Sequence, residues 1–392
     1  MKYFLLVISV LSMGTTSLSQ MRVEYEWKYF DLLWDSPKQR QDAIDSGTYD
    51  PKGAFLFDVD KALDGRVFIT AVRDKGIPVS VLTVSDKHGE SGPLLRPYPD
   101  WSWYKDDCKG ITGGVYNLEI KCNHLFIVDG GRIGENQLCL PQLLIFDLST
   151  DKLVKRVTVP IEIAHNKTRI GLIASNFVHL PNCRNVKNEA IVFMGDTEGA
   201  GLVVYNARNE NLCRIESDFM KPTSWTIVVE NQTYPFGDTM YGLTIIGDDL
   251  YYAALAGSKI YQVKYSKLIQ CSEKDIAEAN QQTKLVGDIN GQTTMLTSDR
   301  CAIFFNDIAK ASIMCADITK EITSQKELVA HDSRFKFLSG MKVRNGELLA
   351  LSNQYYQHLE NSLDISKINF RVFSMPITQI EKNTRCFSSC SN

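Results

Sequence analysis

The stretch Val67-Phe68-Ile69-Thr70-Ala71-Val72, followed after a polar turn by Val79-Ser80-Val81-Leu82-Thr83-Val84, shows the pattern that decides the fold. Both runs are rich in β-branched and aromatic residues, and both are too short for a typical helix. Asp64-Gly65 precedes the first run, and this dipeptide tolerates the positive φ angles of tight hairpin turns. We therefore expect an antiparallel unit in which the first run also pairs with an upstream strand at residues 54–59.

Five more copies of this unit follow along the chain. Their first runs are residues 125–128, 190–194, 250–254, 302–305 and 348–351, and their second runs are residues 143–146, 201–205, 259–263, 311–314 and 369–373. Successive first runs begin about 46 to 65 residues apart, a spacing that suits four-stranded propeller blades with loops of variable length. The sequence therefore predicts an all-β fold, a six-bladed β-propeller, with a pair of β-sandwich domains as the rival. A short helix or flexible insert is expected at residues 273–282.

The amino terminus has the features of a secretory signal peptide. Met1-Lys2 supplies a positive start, residues 3–13 are apolar, and small residues at 17–19 suit cleavage before Gln20. We expect residues 1–19 to be this signal and residues 20–392 to form a single propeller domain with a short carboxy-terminal tail. No later stretch has the roughly 20 apolar residues of a membrane-spanning helix. A secreted, extracellular protein without a membrane span is predicted.

The overall composition excludes one broad class of partner. Charged residues make up 23% of the chain, hydrophobic residues 44%, and the net charge is −3, which is typical of a folded globular protein. No run of lysine or arginine forms the basic surface that proteins of nucleic-acid metabolism present. No nucleic acid partner is therefore expected.

The ten cysteines form an even set in a chain with a secretory signal, and we interpret most of them as structural disulfides. Their spacing lacks the CxxC pairs of zinc-finger sites. Two sequons, at Asn166 and Asn231, are candidate N-glycosylation sites on surface loops.

The motifs of common catalytic sites are missing from the sequence. There is no G-x-S-x-G elbow, no H-E-x-x-H motif and no P-loop, and no two of the six histidines are four residues apart. Residues 58–65 begin like a calcium-binding loop, but Ala62 and Leu63 stand where that loop requires a ligand and a glycine. We therefore expect no catalytic residue, no metal site and no cofactor.

Polar side chains follow several of the first runs and are the candidate ligand-binding residues. If the ends of these strands converge at the mouth of a central channel, their side chains bind a small polar or amine ligand or a cation there. The alternative is that they are ordinary turn residues that hydrogen-bond to their own backbone. The candidates are Asp129, Asp196, Asn306, Asp307 and Asn353.

Several segments carry a resemblance to a known family, namely residues 27–31, 92–102, 125–131 and 383–386. In these segments the chain resembles the royal jelly and yellow protein family of insects, and it is most similar to the major royal jelly proteins. The similarity extends from about residue 25 to residue 386. The resemblance implies a six-bladed propeller in a secreted glycoprotein, in agreement with the repeats.

The resemblance also implies three disulfides. They join Cys108 with Cys139, Cys122 with Cys183, and Cys315 with Cys386. The pairing of the remaining cysteines at positions 213, 271, 301 and 390 stays open, and Cys271 with Cys301 is one hypothesis.

The resemblance leaves three functions to choose from. The first is a non-enzymatic secreted protein of the jelly type, glandular or nutritive, that carries a small hydrophobic ligand such as a sterol and partners with a small secreted peptide or with further copies of itself. The second is a scavenger of small biogenic amines in the channel. Salivary relatives contact the amine with an asparagine that is replaced here by Ala309, which argues against this function. The third is a yellow-type, dopachrome-converting enzyme, for which we identify no acid–base pair.

Overall fold

A computed structural model describes residues 20–53, 55–255, 257–270 and 276–390. The predicted signal peptide at residues 1–19 therefore lies outside the described residues. In the described part of the chain, six four-stranded antiparallel sheets are arranged as the blades of a propeller, and helices are few and short. The predicted all-β, six-bladed architecture is confirmed, and the pair of β-sandwich domains is wrong.

The chain enters the last blade first and then builds the blades in order. Strand β1 is Arg22–Trp27. Blade 1 consists of β2 (Leu56–Lys61), β3 (Val67–Ala71), β4 (Val81–His88) and β5 (Pro93–Pro97). Blade 2 and its small hairpin consist of β6 (Leu118–Lys121), β7 (His124–Asp129), the hairpin strands β8 (Arg132–Ile133) and β9 (Asn136–Gln137), β10 (Gln142–Asp147) and β11 (Lys152–Thr158). Blade 3 consists of β12 (Ile173–His179), β13 (Ile191–Asp196), β14 (Gly201–Asn206) and β15 (Asn211–Glu216).

A second hairpin separates the two halves of the ring. Its strands are β16 (Thr226–Val229) and β17 (Gln232–Pro235). Blade 4 consists of β18 (Met240–Ile246), β19 (Asp249–Ala254), β20 (Lys259–Lys264) and β21 (Lys284–Asp288). Blade 5 consists of β22 (Leu296–Asp299), β23 (Ala302–Asp307), β24 (Ser312–Asp317) and β25 (Glu327–His331). Blade 6 consists of β26 (Phe337–Arg344), β27 (Glu347–Asn353), β28 (Phe370–Pro376) and, outermost, β1.

The helices lie in the connections between strands. They are α1 (Pro37–Asp45), α2 (Ile161–Ala164), α3 (Val186–Glu189), α4 (Tyr265–Leu268), α5 (Ile276–Gln282), α6 (Ile322–Gln325), α7 (Tyr355–Leu359) and α8 (Ile377–Asn383). Short 3₁₀ turns cover Trp101–Trp103 and Asp218–Met220. The helix expected at residues 273–282 corresponds to α5, and the first residues of that prediction lie outside the described part of the chain.

The first strand of each blade lies innermost and lines the channel. These strands contact one another around a closed ring, in the order β2, β6, β12, β18, β22 and β26. The runs with which the sequence pattern begins are therefore the second strands of their blades. They are almost fully buried because each is covered by the blades on both of its faces.

Aromatic side chains in the second strands fill the space between blades. Phe68, Phe126, Phe193, Tyr252 and Phe304 are all fully buried in these strands. A buried aromatic side chain removes on the order of 150–250 Å² from water. At about 25 cal/mol per Å² of apolar surface, these five rings make a major contribution to the cohesion of neighbouring blades.

The ring is closed by pairing strands from the two ends of the described chain. Strand β1 pairs antiparallel with β28, with Trp27 opposite Phe370. The Trp27 side chain is fully buried, and its indole Nε1 donates a hydrogen bond of 2.6 Å to the carbonyl of Pro93 in blade 1. The same residue therefore completes blade 6 and attaches it to blade 1.

Disulfides reinforce the loops and the carboxy-terminal tail. The structure joins Cys108 with Cys139, Cys122 with Cys183, and Cys315 with Cys386, the three pairs that the resemblance implies. It also joins Cys301 with Cys390. The hypothesis that Cys301 pairs with Cys271 is therefore wrong: Cys301, in the turn between β22 and β23, lies beside the tail. Cys213 is disulfide-bonded as well, and Cys271 lies outside the described residues.

Candidate functional site

Asp129, the first of the predicted ligand-binding residues, is buried, and its side chain stabilises neighbouring loops through hydrogen bonds. Its carboxylate accepts hydrogen bonds from the backbone N–H groups of Thr112 (2.8 Å), Gly113 (2.7 Å) and Gly131 (2.9 Å). The amide of Gln142 donates a fourth, at 2.8 Å. The side chain is fully buried, so it fixes the loop that leads into the innermost strand β6 instead of facing the channel.

Asp196 in blade 3 and Asn306 in blade 5 likewise stabilise the loops that lead into the innermost strands of their blades. Asp196 accepts from the N–H of Leu172 at 2.7 Å and forms an ion pair of 2.8 Å with Arg214. Asn306 accepts from the hydroxyl of Thr293 and the N–H of Thr294 at 2.8 and 3.0 Å. Both side chains thus satisfy loops that lead into innermost strands, where unpaired backbone groups would be costly.

Asn353 and Asp307 are also engaged by the protein itself. The Asn353 amide donates to the carbonyl of Leu56 and to the hydroxyl of Ser339, both at 2.9 Å. Asp307 forms an ion pair of 2.7 Å with Lys310. The structure therefore does not bring the five predicted residues together at a channel mouth. They end second strands instead of innermost ones, and their partners are mostly neighbouring loops.

A cavity of about 260 Å³ does lie at the channel mouth, where the innermost strands begin. Its wall comes from blades 1, 2, 3, 4 and 6 and from two residues that follow the hairpin β16–β17, and it combines aromatic with charged side chains. The aromatic lining residues are Phe55, Phe57, Tyr116, Phe236, Tyr241, Phe337 and Tyr355. Their rings contact one another in a continuous chain, with centroid separations such as 5.5 Å for Phe57–Tyr116 and 5.0 Å for Phe337–Tyr355.

The half-buried carboxylate of Asp238 stands in this aromatic wall. Within the described residues its side chain has no hydrogen bond and no ion pair. Burial, with a contribution from the carboxylate of Glu198, raises the pKa of Asp238 to about 7, and the nearby Arg132 opposes the rise. Arg132 is already paired with Glu198 at 2.8 Å. The cavity thus combines an aromatic surface with a carboxyl group that lacks a partner.

Tyr241 separates this cavity from a second one below it. Its side chain lines both cavities, is 1% exposed, and has a hydroxyl without a partner in the described structure. The lower cavity, of about 400 Å³, is polar. Ion pairs surround it, with Lys342–Asp58 at 2.8 Å and Arg344–Asp60 at 2.8 Å. The two ends of the channel therefore differ in chemistry.

The hairpin β16–β17 precedes two residues of the upper cavity wall, Phe236 and Asp238. Ile227 and Val229 point into the core, and the ring of Tyr234 stacks on that of Tyr356 in α7 at 4.1 Å. Phe236, just after the hairpin, brings its ring to the cavity and contacts Tyr355 at 6.3 Å. The hairpin thereby positions both Phe236 and Asp238.

The sequence pattern singled out neither the aromatic cavity residues nor Asp238 as a ligand site, whereas Arg132 and Thr197, which follow first runs, do line the cavity. The aromatic residues Phe57, Tyr241 and Phe337 lie at the start of innermost strands, and the repeat pattern marked the second strands. Ala309, which the resemblance aligns with the amine-contacting asparagine of salivary relatives, lies in a groove on the side of blade 5 instead of in the cavity.

Two other features of the described residues bear on function. They contain no group of three or more histidine, cysteine, aspartate or glutamate side chains that could hold a metal ion. Among the same residues, no helix combines the length and the apolar character needed to cross a membrane.

Comparison with known proteins assigns the family. The family model described as "Major royal jelly protein" matches residues 114–386. The chain is 30% identical to major royal jelly protein 1 of Apis mellifera, over 98% of this chain and 95% of the relative. It is 32% identical to major royal jelly protein 7 of Apis mellifera, over 94% of this chain and 87% of the relative.

This chain belongs to the major royal jelly protein family. Its resemblance to that family is thereby confirmed. Among solved structures, the WD40 repeats of RRP9 align over 91% of this royal jelly family member with a TM-score of 0.46 and 9% identity. So low a similarity carries no argument about function.

Proposed function

We propose that this protein is a secreted, non-enzymatic glycoprotein of the major royal jelly type that binds a small organic cation at the mouth of its channel. The observation that carries the proposal is the Asp238 carboxyl group, which stands without a partner in an aromatic wall. A carboxylate beside aromatic faces is the combination that recognises an ammonium group on an apolar body.

The size of the cavity favours a small ligand. Its volume of about 260 Å³ is below the roughly 300–1,000 Å³ of pockets for drug-sized molecules. An aryl-alkyl amine suits such a space better than a sterol does. The geometry therefore supports the amine hypothesis over the hydrophobic-ligand hypothesis for this cavity. In this version of the amine hypothesis, the partner of the ammonium group is Asp238, and position 309 takes no part.

The non-enzymatic part of the proposal rests on the chemistry of the cavity residues. His358 is the histidine in the wall, and burial lowers its pKa. Burial raises the pKa of Tyr116 to about 12 and raises the pKa of Tyr241 well above its usual value. These shifts keep His358, Tyr116 and Tyr241 neutral near pH 7, and none of the three hydrogen-bonds to Asp238 in the described structure. A dopachrome-type conversion would need such a coupled acid–base pair.

Secretion and glycosylation are supported by the signal pattern at residues 1–19, by the disulfides, and by the two sequons. Asn231 is exposed in the β16–β17 turn, and Asn166 is half-buried in a loop before β12. A glandular or nutritive role, and partnership with a small secreted peptide or a second copy, remain predictions of family membership.

Calorimetric titration with 2-phenylethylamine tests the proposed function. We expect saturable one-to-one binding that is at least tenfold tighter than that of the neutral isostere 2-phenylethanol, because a hydrogen bond to a charged group contributes roughly 1.5–3 kcal/mol. Asp238→Asn should abolish this preference. The matched control, Asp86→Asn, removes an exposed carboxylate away from the cavity and should leave it intact. Equal binding of the amine and the alcohol to the unmodified protein would contradict the proposal.

A further inference from the structure

An open groove of about 800 Å³ runs along the side of blade 5. Its floor is apolar and spans three strands of the blade, with Phe305 from β23, Met314 from β24 and Leu328 from β25. Ile289, after β21, adds to the same surface. Leu328 is 37% exposed. Exposed apolar surface that is gathered into a concave shape usually contacts something in the mature protein.

The tip of the hairpin β16–β17 forms one edge of this groove. Glu230 and Asn231 both line it, and both have positive φ angles, of 50° and 65°, as a tight hairpin turn requires. An ion pair between Glu230 and Lys336 fastens the tip beside the groove. Asn231 is exposed, and its side chain has no hydrogen bond within the described structure. The amide nitrogen that its sequon Asn231-Gln232-Thr233 marks for modification is therefore free at the edge of an apolar groove.

The polar groups around the groove suit a neutral occupant. Lys310 is paired with Asp307 at 2.7 Å and Lys336 with Glu230, so these ammonium groups are already compensated. Lys326 donates to the backbone carbonyl of Thr323 at 3.0 Å. The carboxylate of a fatty acid would have to compete with Asp307 and Glu230 for these lysines. The hydroxyl groups of a sugar, in contrast, can accept hydrogen bonds from the lysine N–H groups without bringing a charge into the groove. Sugar rings also present C–H faces that pack on apolar side chains.

We propose that the N-glycan attached to Asn231 lies in this groove, with its first sugars packed on the partly exposed side chains of Met314 and Leu328. In the attachment step, the amide nitrogen of Asn231 loses a proton and bonds to the anomeric carbon of an oligosaccharide, which is transferred from a lipid-linked pyrophosphate donor that leaves as lipid pyrophosphate. The inference rests on the proposed secretion and glycosylation of the protein and is independent of the ligand in the channel.

The accessibility of the glycan tests this inference. In the natively secreted protein, a peptide N-glycosidase should release the Asn231 glycan at least about tenfold more slowly from the folded than from the denatured chain, which corresponds to about 1.4 kcal/mol of packing. Leu328→Asp should accelerate release from the folded protein, because it places a charge on the floor. Leu285→Asp is the matched control, since Leu285 is 57% exposed on blade 4 and does not line the groove. Equal release rates from folded and denatured protein would overturn the proposal.

Removal of the glycan provides a second readout. Asn231→Gln and Thr233→Ala both eliminate the sequon, and each should expose the groove to an apolar fluorescent dye and to faster hydrogen exchange in β24 and β25. Asn166→Gln, the control at the other sequon, should change neither. An unmodified Asn231 in the secreted protein would refute the inference, and so would unchanged dye binding. Amine binding measured on the same variants separates the outcomes, because loss of the glycan should leave the channel ligand bound.

Discussion

At the scale of single residues, position relative to the channel decides whether a polar side chain is structural or available. Asp129 and Asp196 looked like channel ligands in the sequence, yet both are buried and accept hydrogen bonds from backbone N–H groups. Asp238 has no such partners and faces a cavity. Asp129 and Asp196 end strands, whereas Asp238 precedes one. The sequence does not show which of these carboxylates is enclosed by a neighbouring loop, because that depends on how distant loops fold.

The raised pKa of Asp238 predicts a pH dependence for amine binding. The pKa is about 7 and burial is its main cause, so the carboxyl group is mostly protonated at pH 5 and mostly ionised at pH 8. Only the ionised form attracts an ammonium group. Affinity should therefore fall as the pH is lowered through 7, by up to about tenfold per pH unit, as calorimetry between pH 5 and 8 will measure.

The controls for this pH dependence are the substitution and the neutral ligand. The Asp238→Asn variant should bind the amine weakly and with little dependence on pH over the same range. A neutral ligand such as 2-phenylethanol should show a flat profile with the unmodified protein. A steep profile that persists in the variant would assign the titration to another group.

At the scale of secondary-structure elements, the strands of the blades were predictable and the hairpin over the channel was not. The runs at 125–128, 201–205 and 259–263 correspond to strands β7, β14 and β20, because short β-branched runs buried on both faces have a distinctive composition. Strand β16 alternates exposed and buried residues over only four positions, and β17 has no buried residue, so the sequence signal of this hairpin is too weak to separate from that of loops. Phe236 and Asp238 follow this hairpin and line the cavity, so their place in the site was not predictable from the sequence either.

The contact between Tyr234 and Tyr356 predicts how this hairpin affects ligand exchange. The two rings stack at 4.1 Å, and such a pair contributes about 0.5–1.5 kcal/mol. Tyr234→Ala should loosen the hairpin and accelerate both association and dissociation of a bound amine in stopped-flow measurements. Tyr234→Phe keeps the ring and should behave like the unmodified protein. Unchanged rates in the alanine variant would mean that the ligand does not pass the hairpin.

At the scale of the whole molecule, the ring is closed by contacts far apart in the sequence. Six repeats were enough to predict the number of blades, because a blade buries both faces only when it is stacked against neighbours. That β1 completes blade 6 could not be read from the repeats, since Arg22–Trp27 lies outside the first copy and its partner, Phe370–Pro376, is near the other end. Pairing over such a distance is set by closure of the ring and not by local sequence.

This closure predicts that Trp27→Ala will destabilise two blades at once. The fully buried indole and its hydrogen bond to Pro93 are both lost, and replacing a buried tryptophan by alanine costs about 3–5 kcal/mol in the free energy of unfolding. Hydrogen exchange should accelerate in β28 and β5 together. Tyr25→Ala, in the half-buried part of β1, is the control and should have a smaller effect. Faster exchange confined to β28 would contradict a closing role for Trp27.

The disulfides have a consequence for a chain that has been nicked. The bridges Cys108–Cys139 and Cys122–Cys183 overlap in sequence, as do Cys301–Cys390 and Cys315–Cys386. Any single cut by a protease between residues 108 and 183, or between 301 and 390, therefore leaves the two fragments covalently attached. A protein secreted among digestive enzymes would keep its full mass on a gel after such a cut, and only a reducing agent would reveal that the backbone had been broken.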